Sequence, residues 1–361
     1  MKITYQEFMG SVETEQYLVL SDAIETVQIL LNEKENMEFD YDASESYDTS
    51  TKKKLRNISK LFTRDDIKYY GNADEYHNLA VGYSKQSMFY EACLILERGL
   101  KKFNSSVDLF ADIIQYYANI GMMEEAEGAY EKLSKISRDR WNWRAYVFVS
   151  NYLMECVNVN FGADRYSNGG IRFSQEDTIR QAFETADQYI EYAQTHTENI
   201  DKAYYQLSET ISKLGVRHQD ENEESVLLKG CQLSESATRC ALKLAELYFQ
   251  RGNYSESINY LNKSIITSGS PQPEVRRSYL YLLRAMSSTS QLLHSINSNS
   301  QSGNFGEKKD CIHNIYRDFN SALATGDLPN EYEQAAKNTI KILETQSNII
   351  NEENNSNDDF I

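Results

Sequence analysis

Large and small apolar residues recur every 34 residues along the central part of the chain, starting at Ala73. Within each copy, the large residues lie three or four positions apart in two groups, which places them on one face of each of two helices. A small residue at the twentieth position lets the two helices approach closely. The matching residues are Tyr76, Leu79, Ala80, Tyr83, Ala92, Leu96 and Gly99 in the first copy, and Phe110, Ile113, Ile114, Tyr117, Ala126, Tyr130 and Leu133 in the second. The pattern predicts two consecutive helix pairs.

Further copies of the pattern follow. A good one begins at Thr238, and weaker ones begin at Asn142, at Asp201 and near Gln272. The copy from Asn142 requires an insertion, about residues 157–175, between its two helices. The matching residues of the copy from Thr238 are Ala241, Leu244, Ala245, Tyr248, Ser257, Leu261 and Ser264.

A helix pair of 34 residues with a small residue at the helix crossing resembles the tetratricopeptide repeat family. The resemblance covers roughly Ala73 to Met286. It implies an all-α fold, a right-handed superhelical solenoid of about six helix pairs with helical caps. It also implies protein binding in a concave groove lined by the first helices of the pairs.

The remaining segments complete a domain plan. Residues 1–70 are predicted to form an N-terminal helical cap, with one helix from Glu13 to Asn32, an acidic loop from Glu33 to Asp48, and a second helix around Ile58. The repeat array is expected over residues 71–290, a flexible linker over 291–306, capping helices over 307–350, and a disordered acidic tail over 351–361.

Charge and composition restrict the kinds of partner and the compartment expected for the chain. The formal net charge is −17 and the pI is near 4.9, which opposes non-specific attraction to nucleic acid or to anionic membranes. No apolar run is long enough for membrane insertion, and Met1 to Gly10 lacks the pattern of a signal peptide. The five cysteines are scattered and odd in number, which favours a reducing cytoplasm over a disulfide framework.

The residues that could support catalysis or metal binding do not fall into recognised patterns. The five histidines do not combine with other ligands at a known metal spacing, and Cys311 with His313 supplies only two donors. The Asn168-Gly169-Gly170 sequence lacks the Lys-Ser/Thr and the preceding strand of a phosphate-binding loop. We therefore expect no enzyme, no cofactor and no metal.

The groove predicted from the resemblance supplies the candidate binding residues. His77, Val81 and Asp112 do not match the Lys and Asn pattern of the clamp that holds chaperone tails, so that partner is disfavoured. The residues expected to face the groove in the central copies are Gln115, Asn119, Trp143, Tyr146 and Ser150. Their rings and amide groups suit an extended peptide. The alternative for Trp141 and Trp143 is packing beneath the insertion, and burial is favoured for Trp141.

A second candidate set is basic. It consists of Arg239, Lys243, Arg276, Arg277 and Arg284, which come from two adjacent first helices. These cations are notable in so acidic a chain, and they suit an acidic peptide or a carboxylate. The alternative is a solvated face, or pairing with Glu246 and Glu274.

The sequence thus predicts a non-enzymatic cytoplasmic adaptor or scaffold that binds a protein segment or peptide of unknown identity in the groove. The alternative is a regulatory sensor that resembles the bacterial tetratricopeptide receptors of short signalling peptides. Many of those receptors carry an N-terminal domain that reads DNA. Residues 1–70 are too short and too acidic for such a domain, which disfavours this alternative.

Overall fold

The computed structural model describes residues 4–35, 44–160, 175–196, 200–234, 237–267, 276–297, 305–326 and 328–343. These residues form α-helices and one small sheet. The prediction of an all-α fold built from helix pairs is confirmed. The chain divides into two compact units, Met1–Tyr192 and Ala193–Ile361.

The N-terminal segment of the first unit contains α1 (Tyr5–Glu15), β1 (Tyr17–Val19), α2 (Leu20–Glu35), α3 (Ser44–Leu61) and β2 (Lys68–Tyr70). Helix α1 begins with a capping box between Thr4 and Glu7 and ends at Gln16, whose backbone is left-handed with φ 52°. The two strands pair in parallel, with Leu18 opposite Tyr69.

This segment differs from its prediction in two places. The single helix expected from Glu13 to Asn32 is wrong, because the left-handed turn at Gln16 and strand β1 separate α1 from α2. The acidic loop expected from Glu33 to Asp48 is also too long, since α2 runs to Glu35 and α3 starts at Ser44. Residues 36–43 lie outside the described part of the chain.

Three helix pairs follow, and they correspond to the first three copies of the sequence pattern; all but the last four residues of the third pair belong to the first unit. They are α4 (Ala73–Ser84) with α5 (Phe89–Lys102), α6 (Val107–Asn119) with α7 (Met123–Ser134), and α8 (Trp143–Asn160) with α9 (Gln175–His196). The large residues of the first two copies are all buried, and Ala92 and Ala126 have no exposed surface. The helix register predicted for these copies is therefore confirmed. The insertion, residues 161–174, lies outside the described residues.

The second unit contains α10 (Ile200–Leu214), α11 (Glu223–Leu233), α12 (Thr238–Gln250), α13 (Tyr254–Thr267), α14 (Arg277–Asn297), α15 (Phe305–Ala324) and α16 at 330–343. Helix α15 was expected to be a cap, but it is the second helix of the sixth pair and shares an apolar cluster with α14 that includes Leu282 and Phe319. The linker expected over 291–306 is wrong at both ends, because α14 continues to Asn297 and α15 begins at Phe305; residues 298–304 lie outside the described part of the chain. The tail, 351–361, is not among the described residues.

Two glycines stand at equivalent helix crossings in the two units. A Cβ atom on Gly99 would lie 2.9 Å from Cγ of Tyr76, and one on Gly230 would lie 2.5 Å from Sγ of Cys240 and 2.8 Å from Cβ of Tyr204. Tyr76 and Tyr204 are each the fourth residue of their copy. The second helix of both pairs can therefore approach its neighbours only because a side chain is missing there.

An acidic residue links consecutive first helices in the second unit. Asp201, at the start of α10, accepts hydrogen bonds from the backbone N–H of Arg239 at 2.8 Å and of Cys240 at 2.9 Å. These amides belong to the first turn of α12, whose own N-cap residue is Ala237 and supplies no side-chain cap. Asp201 thus caps α12 from another helix.

Candidate functional site

Helix α8 carries one polar stripe on an otherwise buried surface. After Trp143, its less buried side chains are Arg144, Phe148, Asn151, Glu155 and Asn158, among the positions whose burial is described. Their spacing of four, three, four and three residues places them on one face of the helix. Arg144 and Asn151 both hydrogen-bond to residues of α6. The stripe therefore borders the first helix of the preceding pair.

A buried carboxylate joins the first helices of all three pairs in the first unit. Asp112 on α6 has no exposed surface. Its Oδ1 accepts a hydrogen bond of 3.1 Å from Nη1 of Arg144 on α8, and its Oδ2 is hydrogen-bonded to Nδ1 of His77 on α4. Because a buried carboxylate is costly without partners, these contacts stabilise the relative positions of the three helices. The sequence pattern marks His77 and Asp112 only as departures from the chaperone-tail clamp.

A row of side-chain amides continues from this carboxylate along α6 and α8. Nε2 of Gln115 donates to Oδ1 of Asn119 at 2.8 Å, and Nδ2 of Asn151 donates to Oε1 of Gln115 at 3.2 Å. Asn119 is exposed, while Gln115 and Asn151 are half-buried. We call the combined surface the polar first-helix face. It consists of His77, Gln115, Asn119, Arg144 and Asn151, which lie around the buried Asp112.

Aromatic rings hold the guanidinium of this face in place. The guanidinium carbon of Arg144 lies 5.1 Å from the ring centroid of Trp143 and 5.7 Å from that of Phe148. Nε of Arg144 lies 3.8 Å from Oδ1 of Asp108. Cation–π contacts and two carboxylates thus fix the orientation of a side chain that is only partly exposed.

The structure separates the five predicted groove residues. Gln115 and Asn119 belong to the polar first-helix face, and Trp143 is half-buried beside Arg144. Tyr146 and Ser150 are 4% and 0% exposed. The expectation that these two side chains face a groove is therefore wrong.

The physical reason is the rotation of α8. The ring of Tyr146 stacks on that of Tyr189 of α9 at 5.7 Å and also contacts the ring of Trp141, which is buried as favoured from the sequence. This side of α8 is filled by aromatic residues. The residues of α8 that face α6 are therefore Arg144 and Asn151, each one position after the predicted Trp143 and Ser150. Sequence reasoning missed these two residues. The polar residues spaced along an apolar helix were the signal that could have revealed them.

Two of the five basic candidates in the second unit form ion pairs with acidic residues of the chain itself. Nζ of Lys243 lies 2.9 Å from Oε1 of Glu209. Arg284 donates to Asp318 from Nε at 2.7 Å and from Nη2 at 2.6 Å, and donates from Nη1 to Asn262 at 2.7 Å. The expectation that Lys243 and Arg284 are available to an acidic ligand is wrong, because acidic residues of neighbouring helices already neutralise them. The alternative, that these cations pair with acidic residues of the chain, is correct. Their partners are Glu209 and Asp318, however, and not Glu246 and Glu274.

The other basic candidates remain a prediction. Arg276 and Arg277 are exposed around the start of α14, and Arg239 is half-buried in the first turn of α12. On the same two helices, Glu246 of α12 accepts a hydrogen bond of 3.0 Å from the hydroxyl of Tyr279 of α14. Burial raises the pKa of the Glu246 carboxyl.

The described part of the chain holds free thiols but no cluster of metal ligands. Within the described ranges, no group of three or more His, Cys, Asp and Glu side chains is arranged to hold a metal ion. Cys93, Cys156, Cys231 and Cys240 are buried free thiols, and burial raises the pKa of each. None of the described helices has the length and apolar character that crossing a membrane requires.

Comparison with known proteins concerns the fold. No protein-family model and no curated protein matches the chain. A tetratricopeptide repeat protein from Parabacteroides merdae is 14% identical, with a TM-score of 0.42, over 88% of this chain and 98% of its own. The type IV pilus biogenesis factor PilW is 14% identical, with a TM-score of 0.42, over 73% and 97%. PilF of Pseudomonas aeruginosa is 15% identical, with a TM-score of 0.40, over 66% and 95%.

These scores are too low to carry an argument about function. The helix pairs of the chain itself, with buried small residues at their crossings, are the stronger observation. The fold is tetratricopeptide-like.

Proposed function

We propose that the chain is a non-enzymatic interaction scaffold that binds an extended segment of a partner protein along the polar first-helix face. The observation that supports this most is the amide row of Gln115, Asn119 and Asn151. A side-chain amide offers both a donor and an acceptor, as does each residue of an extended backbone. An amide row can therefore pair with a polypeptide main chain.

The side chains of this face are held in fixed orientations, which also supports binding. Arg144 and His77 are held against the buried carboxylate of Asp112, and Gln115 is hydrogen-bonded from both sides. Side chains that are fixed before a ligand arrives lose less conformational entropy on binding. Trp143, half-buried at the edge of the face, adds an aromatic surface of the type that often dominates binding energy.

Site-specific photo-crosslinking tests the proposal. A photoreactive amino acid replaces Asn119, which is exposed on this face, and a matched variant carries it at Glu124, which is exposed on α7. We expect the Asn119 position to form adducts in cells and the Glu124 position not to form the same ones. Mass spectrometry of the adduct should map to one contiguous segment of the partner.

Two companion variants connect the adduct to the amide row. Gln115→Ala with Asn151→Ala should abolish the Asn119 adduct while circular dichroism shows unchanged helicity. Trp143→Ala should weaken it. Adducts that form equally from Glu124, or that survive removal of both amides, would contradict the proposal. Scattering with the mapped segment added also tests the sensor alternative, which requires a change of conformation or of oligomeric state.

A further inference from the structure

Helix α3 concentrates positive charge in an otherwise acidic chain. Six Lys and Arg residues and no Asp or Glu lie between Asp48 and Asp65, whereas the whole chain has 37 basic and 54 acidic residues. Lys53, Arg56 and Lys60 are all exposed. Their spacing of three and four residues places them in one row along the helix. We call these three residues the basic stripe.

Most of the charge of this stripe is unpaired within the folded chain. Among the described residues, one carboxylate lies within 4 Å of it. Oε1 of Glu91 on α5 accepts a hydrogen bond of 3.0 Å from Nε of Arg56, whose side chain remains 58% exposed. Lys53 and Lys60 have no carboxylate partner in that part of the chain. A ligand at the stripe therefore meets two uncompensated ammonium groups.

The acidic residues that follow α3 in the sequence pair with other cations. Oδ1 of Asp65 lies 2.9 Å from Nη2 of Arg98, and Oδ2 of Asp66 lies 2.5 Å from Nη2 of Arg64. In the part of the chain that the structure describes, neither carboxylate lies within 4 Å of a nitrogen atom of the stripe. These neighbours therefore leave the charge of the stripe in place.

We propose that the basic stripe binds an acidic segment of a partner polypeptide. Lys53 and Lys60 are seven residues apart, which is about 10 Å along a helix. An extended polypeptide presents alternate side chains on one face, about 7 Å apart. A segment of four or five residues with Asp or Glu at alternate positions can therefore span the stripe. Its carboxylates accept charge-assisted hydrogen bonds from the lysine ammonium groups.

The rest of the chain favours this short ligand over a larger polyanion. A lipid bilayer or a nucleic acid duplex extends far beyond the stripe and would approach other parts of a chain whose net charge is −17. The apolar face of α3, which includes Leu55 and Ile58, is buried and is not available to a membrane. A short segment needs only the stripe, because charges more than about 8 Å away are largely screened at physiological ionic strength.

The stripe is separate from the polar first-helix face. It lies on α3, whereas the other surface lies on α4, α6 and α8. The proposal therefore does not rest on the proposed function, and either can fail without the other.

Fluorescence anisotropy with the full chain tests the stripe. The probe is the peptide Ac-Glu-Gly-Glu-Gly-Glu-Gly-Glu-NH2 with an uncharged dye, and the control peptide has Gln in place of every Glu. Lys53→Gln with Lys60→Gln removes the two unpaired charges. Lys132→Gln with Lys135→Gln, at exposed positions at the end of α7, makes the same change in net charge elsewhere in the first unit.

We expect saturable binding of the Glu peptide and none of the Gln peptide. The stripe variant should weaken binding about three- to tenfold, as the loss of two exposed charge pairs implies, and the matched variant should leave it unchanged. Equal binding of both peptides, an equal loss in both double variants, or no saturable binding would overturn the proposal.

Two further arms address other occupants of the stripe. Sedimentation with phosphatidylserine–phosphatidylcholine vesicles and anisotropy with a labelled DNA duplex measure binding of larger polyanions. If either binds through Lys53 and Lys60 more tightly than the Glu peptide does, the stripe belongs to that partner and the proposal is wrong. It is also wrong if the peptide binds only after Glu38→Gln, Asp40→Asn and Asp42→Asn, because acidic residues of the chain itself then compete for the stripe.

Discussion

Gly99→Ala is the most direct test of how the helix pairs pack. The new Cβ atom would lie 2.9 Å from Cγ and 3.1 Å from Cβ of Tyr76, and 3.1 Å from Cδ1 of Leu109. Tyr76 cannot easily move aside, because its ring is buried and packs edge to face against two other rings. The centroid distances are 6.2 Å to Phe62 and 6.1 Å to Phe103. The methyl group must therefore push α5 away from both neighbouring first helices.

The magnitude follows from two opposing effects. Overpacking of this kind costs about 1–3 kcal/mol, whereas replacing glycine with alanine inside a helix gains roughly 1 kcal/mol. Gly128→Ala in α7 isolates the second effect, since no atom lies within 4 Å of the position of its new Cβ. Gly128→Ala should thus raise the free energy of unfolding, and Gly99→Ala should give a value about 1–3 kcal/mol below that of Gly128→Ala.

Urea denaturation followed by tryptophan fluorescence measures this difference. Both tryptophans, Trp141 and Trp143, belong to the first unit, so their signal reports the unit that carries both substitutions. The second unit does not contribute, which avoids a composite transition. If the two variants have the same free energy of unfolding, the close helix approach at Gly99 is not a feature of the folded protein.

Three other outcomes are expected. Ala92→Leu, at a fully buried crossing, should lower the stability of the first unit by about 1–3 kcal/mol in the same fluorescence assay, and an unchanged midpoint would refute the helix register. Arg284→Met should lower stability by about 3–5 kcal/mol in urea denaturation followed by circular dichroism, because it leaves the buried Asp318 unpaired, and adding Asp318→Leu should restore most of the loss; strictly additive losses would refute the coupling. Burial raises the pKa of the Glu246 carboxyl in the folded state. Ionisation of Glu246 therefore lowers the free energy of unfolding progressively as the pH rises from about 4.5 through that raised pKa. Glu246→Gln, which can still accept the Tyr279 hydrogen bond, should therefore increase stability at neutral pH and not at acidic pH, as thermal melts at both pH values will show.

The sequence was sufficient for the parts of the fold that depend on spacing. The large residues of the first two copies are buried as predicted, because the contacts within a helix pair involve residues of one copy. The rotation of α8 was less accessible, since Tyr146 is drawn into a cluster with Tyr189, more than forty residues further along the chain. A repeat register alone does not contain that contact.

The basic candidates were misjudged for a related reason. Arg284 is bound by Asp318 and Lys243 by Glu209, so each partner lies in a neighbouring copy, about one repeat length away. Glu246 and Glu274, which were expected as the partners, are only the nearest acidic residues along the chain. Comparing charges across one repeat length would have paired the cations with their observed acids.

The cap that Asp201 provides for α12 has a consequence for hydrogen exchange. The amide protons of Arg239 and Cys240 are held by a carboxylate of α10 rather than by their own helix. They can exchange with solvent only when α10 moves away, even if α12 itself stays helical. The exchange rate of these two amides therefore reports the opening of the preceding helix pair, and deuterium uptake in the first turn of α12 becomes a local measure of coupling between successive pairs.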